Sequence, residues 1–166
     1  MNERQAEFER VALPHLDGVL RFARRLTGGD ARARDLVQET YLQAWRGFAG
    51  LRPDSNVRAW LFRILIHVAH DAGRKIRRSV PVVPLSLAMG IAGVSEQPSD
   101  LLEALDRLPE EQRATLILGA VEGFTCREIS GILGVPIGTV MSRLSRGRQA
   151  LRAALTEVPV SEKVGR

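Results

Sequence analysis

Residues 125–155 read TCREISGILGVPIGTVMSRLSRGRQALRAAL, and this stretch decides the fold. Thr125 with Glu128 three residues on is a capping box, which starts a helix by satisfying two backbone N–H groups reciprocally. Ile129 and Leu133 lie one turn apart on a short helix of about residues 126–133. Gly134 follows, where the chain turns sharply and a positive φ is expected. Val135 plugs the turn, and Ser130 is small where two helices must approach closely. Val140, Leu144, Leu151 and Leu155 then form the inner stripe of a longer helix over 137–155. Two helices joined this way make a helix-turn-helix.

The outer face of the second helix presents Thr139, Ser142, Arg143, Arg146, Arg148, Gln149 and Arg152. Residues 137–155 hold four arginines and no acid, whereas residues 99–128 hold seven acids and three bases. Positive charge is thus placed on the helix that would enter a DNA groove, which marks a nucleic-acid surface. A solvated amphipathic helix would also carry arginines, but turn, stripe and charge agree here at several levels.

Working outward, the chain has 166 residues and a formal net charge of +5. That length holds one ordinary domain or two small ones. Apolar residues make up 45% and aromatics only 5%, so the core is built from Leu, Val, Ile and Ala, a helical composition without strand-like alternation. Only Lys75 and Lys163 are lysines; the remaining base is arginine, whose planar fork suits phosphate and guanine edges. The single cysteine, Cys126, excludes an intrachain disulfide and fits a reducing compartment. The N-terminal stretch is polar and no run approaches the ~18 apolar residues of a membrane span, so a cytoplasmic protein without membrane insertion is expected.

Apolar spacing predicts helices over about 3–27, 31–48 and 56–77. Pro14 kinks or splits the first, Thr27-Gly28-Gly29 ends it, and Asp30 is expected to cap the second. Val37, Tyr41, Ala44, Trp45 and Phe48 form the second helix's buried stripe; Val57, Trp60, Leu61, Ile64, Leu65 and Val68 form the third's. Residues 79–98 contain Pro81, Pro84, Pro98, Gly90 and Gly93 with one charge, Glu96, and read as an interdomain linker. Short helices are expected over about 100–107 and 110–122, with Pro109 opening the second and Gly123 closing it. The fold class is all-α: two small helical domains, 1–78 and 99–158, joined by linker 79–98, with a tail at 159–166.

The run LDRLPEEQRATLILGAVEGFTCREISGILGVPIGTVMSRLSRGRQALRAAL resembles region 4 of the extracytoplasmic-function (ECF) sigma factors, group 4 of the sigma-70 family. ARDLVQETYLQAWRGF, followed by NVRAWLFRILIHVAHDAGRKIRR, resembles their region 2. Order, spacing and linker all match, over about residues 7–157. The resemblance implies a sigma factor that binds core RNA polymerase, through the β′ clamp helices and the β flap, and directs initiation at promoter DNA, under the control of an anti-sigma factor. It implies no enzyme, catalytic residue or cofactor.

Under the same resemblance, Asp35, Gln38 and Glu39 would bind polymerase. The loop from Leu51 to Ala59, with Asp54, Ser55, Asn56 and Arg58, would capture a flipped base at the −10 element; extrusion costs a few kcal/mol that a pocket must return. Arg63, His67, Asp71, Arg74 and Lys75 extend that surface along the third helix. Trp60 falls within it too, although its place in the Val57–Leu61–Ile64 stripe reads as core. Thr139, Met141, Ser142, Arg143, Ser145, Arg146 and Arg148 would face the −35 element. His67 and Asp71 stand where many members carry asparagine, Met141 where many carry Lys or Arg, and Ser145 where some carry a large residue.

Other motifs carry less. His67 and His70 lie three apart on one helix while His15 and Cys126 are elsewhere, short of the three or four convergent ligands of a metal site. Cys126, at a helix start, reads as an ordinary small residue near a cap, with a redox thiol the alternative. Two other functions fit parts of the chain: a sigma-like module that only sequesters an anti-sigma factor, and a conventional helix-turn-helix regulator. The basic second helix opposes the first, and the region 2 resemblance opposes the second. Two further expectations are that the free chain binds DNA weakly until polymerase holds both modules at the right span, and that apolar residues 80–94 pack on a domain or partner, with a short helix from Leu85 to Ala92.

Overall fold

Pro14 divides the first helical stretch, because its ring removes a backbone donor and crowds the preceding turn. In the computed structural model, which describes residues 3–27, 29–76 and 104–156, α1 (Glu3–Ala12) therefore ends in a 3-10 turn, Leu13–His15, before α2 (Leu16–Thr27). The Thr27 hydroxyl closes α2 against the Ala23 carbonyl at 3.0 Å. α3 (Asp30–Gly47) follows. Asp30 does not cap it: Gly29 holds the N-cap position, and the Asp30 carboxylate instead takes Arg24 and Arg34. These two arginines hold the carboxyl below the usual carboxylate range, chiefly through the Arg24 hydrogen bond. A 3-10 turn, Phe48–Gly50, and a loop lead to α4 (Val57–Ile76).

α2, α3 and α4 pack on one another, with α1 laid against α4. Phe8 on α1 meets Tyr41, Trp45 and Phe48 edge-on, with ring centroids 6.4, 5.3 and 5.2 Å away. Edge-on packing sets a positive ring edge against a negative ring face. The Tyr41 hydroxyl donates to the Ala12 carbonyl at 3.0 Å, and burial pushes its pKa up to about 12. Thr40 is fully buried with its hydroxyl on the Leu36 carbonyl, so no polar atom there is stranded.

The second unit comprises α5 (Glu110–Leu116), α6 (Cys126–Leu133) and α7 (Ile137–Thr156), preceded by a short helical piece at 104–106. α5 runs on into a π-helical turn, Ile117–Val121, with the Glu122 amide donating to the Ile117 carbonyl at 3.0 Å. α5 and α6 both pack on α7. The two units are not separate bodies, because α6 also packs on α4 and one buried core runs through both. Phe22 meets Phe62 edge-on at 5.3 Å, and Phe62 meets Phe124 edge-on at 5.0 Å, so an aromatic row crosses the boundary. No strand occurs among the described residues. The expected linker, its apolar segment 80–94, the helix from Leu85 to Ala92 and the tail from 159 lie outside the described residues.

Candidate nucleic-acid interface

The turn between α6 and α7 is set by local chemistry. The Thr125 hydroxyl accepts from the Glu128 amide, and the Glu128 carboxylate accepts from the Thr125 amide at 2.8 Å. The bond from the Thr125 amide first, and then the Thr125 hydroxyl, which donates to the same carboxylate at 2.9 Å, hold the Glu128 carboxyl below its ordinary value. Gly134 has φ +66°, in the left-handed region that side chains avoid. Ser130 does more than stay small: its hydroxyl donates to the Val135 carbonyl at 2.6 Å and ties the turn shut. Val140 and Leu144 are buried beneath α7, Leu151 is half-buried and Leu155 is exposed, so the inner stripe fades toward the C-terminus.

Above that stripe, Met141, Ser145, Arg146 and Arg148 are exposed, Met141 at 58%. Ser142 is half-buried, its hydroxyl donating to the Thr139 carbonyl at 3.0 Å. Arg143 turns inward to Glu111 of α5 at 2.6 Å and clamps α7 onto its neighbour. A concavity of about 650 Å³ opens between the start of α6, at Cys126, and the α7 residues Met141, Ser145 and Arg148. Arg148 and Arg152 give its lining positive charge, and Leu144 and Met141 are apolar.

In the first unit, α3 turns Asp35 and Gln38 outward, with Glu39 half-buried beside them and bonded to Gln43 at 3.0 Å. Loop residues Arg52 and Asp54 form an exposed two-bond ion pair at 3.1 and 2.9 Å. Asn56 caps α4, accepting from the Ala59 amide at 3.0 Å. Arg63, His67, His70 and Asp71 are exposed at helical spacing along α4. His67 Nδ1 lies 2.9 Å from the Arg63 carbonyl, four residues back.

Comparison with known proteins decides the family. Sigma-70 region 2 matches residues 12–79, and Sigma-70, region 4, matches residues 99–151. The chain belongs to the ECF sigma factors of the sigma-70 family. It is 40% identical over 139 residues to the ECF RNA polymerase sigma factor EcfG of Rhodopseudomonas palustris, covering 81% of this chain and 77% of that one. It is 35% identical over 161 residues to SigE of Mycolicibacterium smegmatis, covering 90% of this chain and 62% of that longer one. Among solved structures, the sigma factor RpoE in complex with the anti-sigma factor NepR from Bartonella quintana matches with TM-score 0.71 and 31% identity. That match covers 92% of this chain and 98% of the other. CnrH in complex with the cytosolic domain of CnrY gives TM-score 0.70 and 27% identity over 92% of this chain and 89% of that one.

In this sigma factor, the region 4 residues Met141, Ser145 and Arg148 lie along one side of the −35 helix, Arg146 is exposed on another, and Thr139 and Ser142 are half-buried. Of the region 2 residues, Leu51 and Ser55 are half-buried and Asp54 is exposed. Trp60 is half-buried and packed against the core, with Gly47 close to its ring. Arg58 is not on the α4 stripe with Arg63 but faces region 4. Arg74 and Lys75 fall on the last turns of α4, and their side chains lie outside the described residues.

Two features escape the sequence pattern. Leu42 is 43% exposed beside Gln38 on α3, an apolar residue off the buried stripe. Glu122 has a side chain only 4% exposed, paired with Arg58 at 2.9 Å and Arg25 at 3.4 Å. Nothing in VEGF around Glu122 announces burial, because its partners come from another region of the chain. Among the described residues, no three His, Cys, Asp or Glu side chains form a metal-holding group, and no helix is long and apolar enough to cross a membrane.

Proposed function

We propose that this ECF sigma factor works in the cytoplasm as a binding subunit with no chemistry of its own, docking on core RNA polymerase and selecting promoters through its two regions. The observation that carries this reading is α7: its inner side is locked by Val140, Leu144 and the Arg143–Glu111 pair, while Met141, Ser145 and Arg146 remain outward. A rigid helix with an exposed arginine face is what major-groove reading requires. In this reading Arg146 gives two hydrogen bonds to guanine O6 and N7, and Arg148 holds phosphate, which positions the protein without reading sequence. Met141 has no donor and offers apolar contact, for instance to a thymine methyl.

α3 supplies the polymerase-facing surface, with Asp35, Gln38 and Glu39 around the exposed Leu42. The loop from Leu51 to Asn56 and the exposed α4 residues Arg63, His67 and Asp71 supply the −10 surface, with Arg74 and Lys75 following on that helix. Anti-sigma control is supported by the relatives RpoE and CnrH, solved in complex with NepR and CnrY. The test is transcription in vitro with purified core polymerase and a genomic promoter pool. Sigma activity requires start sites that appear only when this chain is added; their absence would overturn the reading.

A further inference from the structure

α4 carries one exposed side chain whose hydrogen-bonding character the helix itself fixes. His67 lies in line with Arg63, one turn back, and with His70 and Asp71, one turn on, and all four are exposed. Its Nδ1 is 2.9 Å from the Arg63 carbonyl oxygen. A carbonyl oxygen has no proton to give, so Nδ1 is the donor of this bond. The same oxygen takes the His67 amide in the helical ladder, and its second lone pair takes the ring. A neutral imidazole carries a single N–H, and with the proton held on Nδ1, Nε2 keeps its lone pair. The ring leans toward the preceding turn, the direction in which helical side chains tilt. Nε2, on the other side of the ring, makes no hydrogen bond among the described residues.

His67 thus turns outward an acceptor and no donor. An asparagine at this place would carry both and could present either, and a lysine would present donors alone. These residue types sort the bases differently. On a melted strand the Watson–Crick edges are open to reading. Adenine, cytosine and guanine each carry an exocyclic amino group on that edge, which donates to a lone pair. Thymine carries none: its N3–H sits between two carbonyl oxygens, whose lone pairs repel that of Nε2. The neighbours on α4 agree with this choice. The Asp71 carboxylate is a second acceptor, and acidic side chains take the amino group of cytosine. Arg63 places positive charge one turn away, suited to the phosphates of the same strand.

We propose that His67 is a specificity-determining residue of the −10 surface: it selects a base that bears an exocyclic amino group and excludes thymine at the position it faces. This rests on the reading of α4 as part of the −10 surface. The Arg63 carbonyl is the positioning group, because without that bond the ring is free to take the other tautomer and present a donor.

The experiment is transcription in vitro with core polymerase and the full-length chain, from copies of a promoter mapped with the wild-type holoenzyme and randomised across its −10 element. The buffer is held at about pH 8, where imidazoles are neutral. The wild-type chain should disfavour thymine about tenfold at one −10 position. His67→Asn and His67→Lys should both recover thymine at that position and leave the other positions as they were. A second measurement alters only the DNA. Where the preferred base is adenine, its replacement by purine removes the amino group alone; where it is guanine, hypoxanthine does the same. Either change should lower wild-type initiation about fivefold and leave His67→Lys unaffected. Thymine preference unchanged in both variants overturns the inference. So does a loss of activity spread evenly over the library, which would make His67 a phosphate contact. If the wild-type chain adds no start sites to core polymerase, the sigma reading falls and this inference with it; start sites that ignore His67 overturn this inference alone.

Discussion

Gly147 sits where α7 crosses α5, and replacing it with alanine tests how tightly the −35 helix is docked. A Cβ there would lie 2.8 Å from Leu116 Cδ1, 3.1 Å from its Cγ and 3.6 Å from Gln112 Cβ. Leu116 is buried in the core, so its side chain has little room to retreat. Two effects oppose each other. Alanine is better than glycine inside a helix by about 1 kcal/mol. Overpacking a filled core costs about 1–3 kcal/mol, in off-rotamer side chains and backbone shifts. The net expectation is a loss of about 1 kcal/mol for Gly147→Ala, or a Tm lower by about 2–4 °C for a chain of this size. Gly147→Val adds two more methyl groups to the same contact and should lose about 3 kcal/mol. Urea unfolding of the full chain, read as a midpoint shift at constant slope, measures both. A gain of about 1 kcal/mol in Gly147→Ala would mean that propensity alone acts and the helices are not in close contact.

Other expectations follow from the same geometry. Thr125→Ala removes the α6 cap and should cost about 1 kcal/mol by denaturant unfolding, with Thr125→Ser retaining most of it. Arg146→Ala should relax −35 preference at one or two positions in promoter selection from a randomised library, and Met141→Arg should add a preference for guanine; unchanged preference with polymerase binding intact would show that Arg146 does not read bases. His15 has its pKa lowered, first by burial and then by the Arg58 charge. The native state therefore binds fewer protons than the unfolded state as pH falls through about 6.5, so stability drops below that pH and recovers above it; His15→Gln should flatten this part of the profile.

The helix-turn-helix was legible because each of its parts is local. Thr125 and Glu128 are three residues apart, Gly134 sits at its own turn, and the Val140–Leu144 spacing is one helical turn. Asp30 was misread because a capping residue and a first-turn acid look alike in sequence, and Arg24, six residues back, drew the carboxylate away from the backbone. The partner of Arg143 could not be named from α7 alone, and only the position of α5 shows that Glu111 takes it inward. Arg58 is the larger case. Its sequence neighbourhood belongs to the α4 stripe, but its hydrogen bonds are made 64 residues away.

That distance explains why the arrangement of the two regions could not be read from periodicity. Phe22, Phe62 and Phe124 are each ordinary core residues within their own helices or turn. Their alignment into one row depends on a π-helical turn whose residues, Ile117 to Val121, differ in no obvious way from an α-helical run. A turn of that kind is less favourable than regular helix and persists only where tertiary contacts favour it. Here those contacts are the Glu122 bonds to Arg58 and Arg25 and the edge-on contact of Phe124 with Phe62. The turn and the closed arrangement are therefore coupled. When region 4 leaves region 2, the contacts that hold Ile117–Val121 in the wider turn are lost, and its amide bonds open more often. Hydrogen exchange reports on this directly: the Glu122 amide, bonded to the Ile117 carbonyl in the closed form, should exchange faster in Glu122→Lys than in the wild-type chain. Equal protection in the two proteins would separate the turn from the domain contact and leave it as a property of α5 alone.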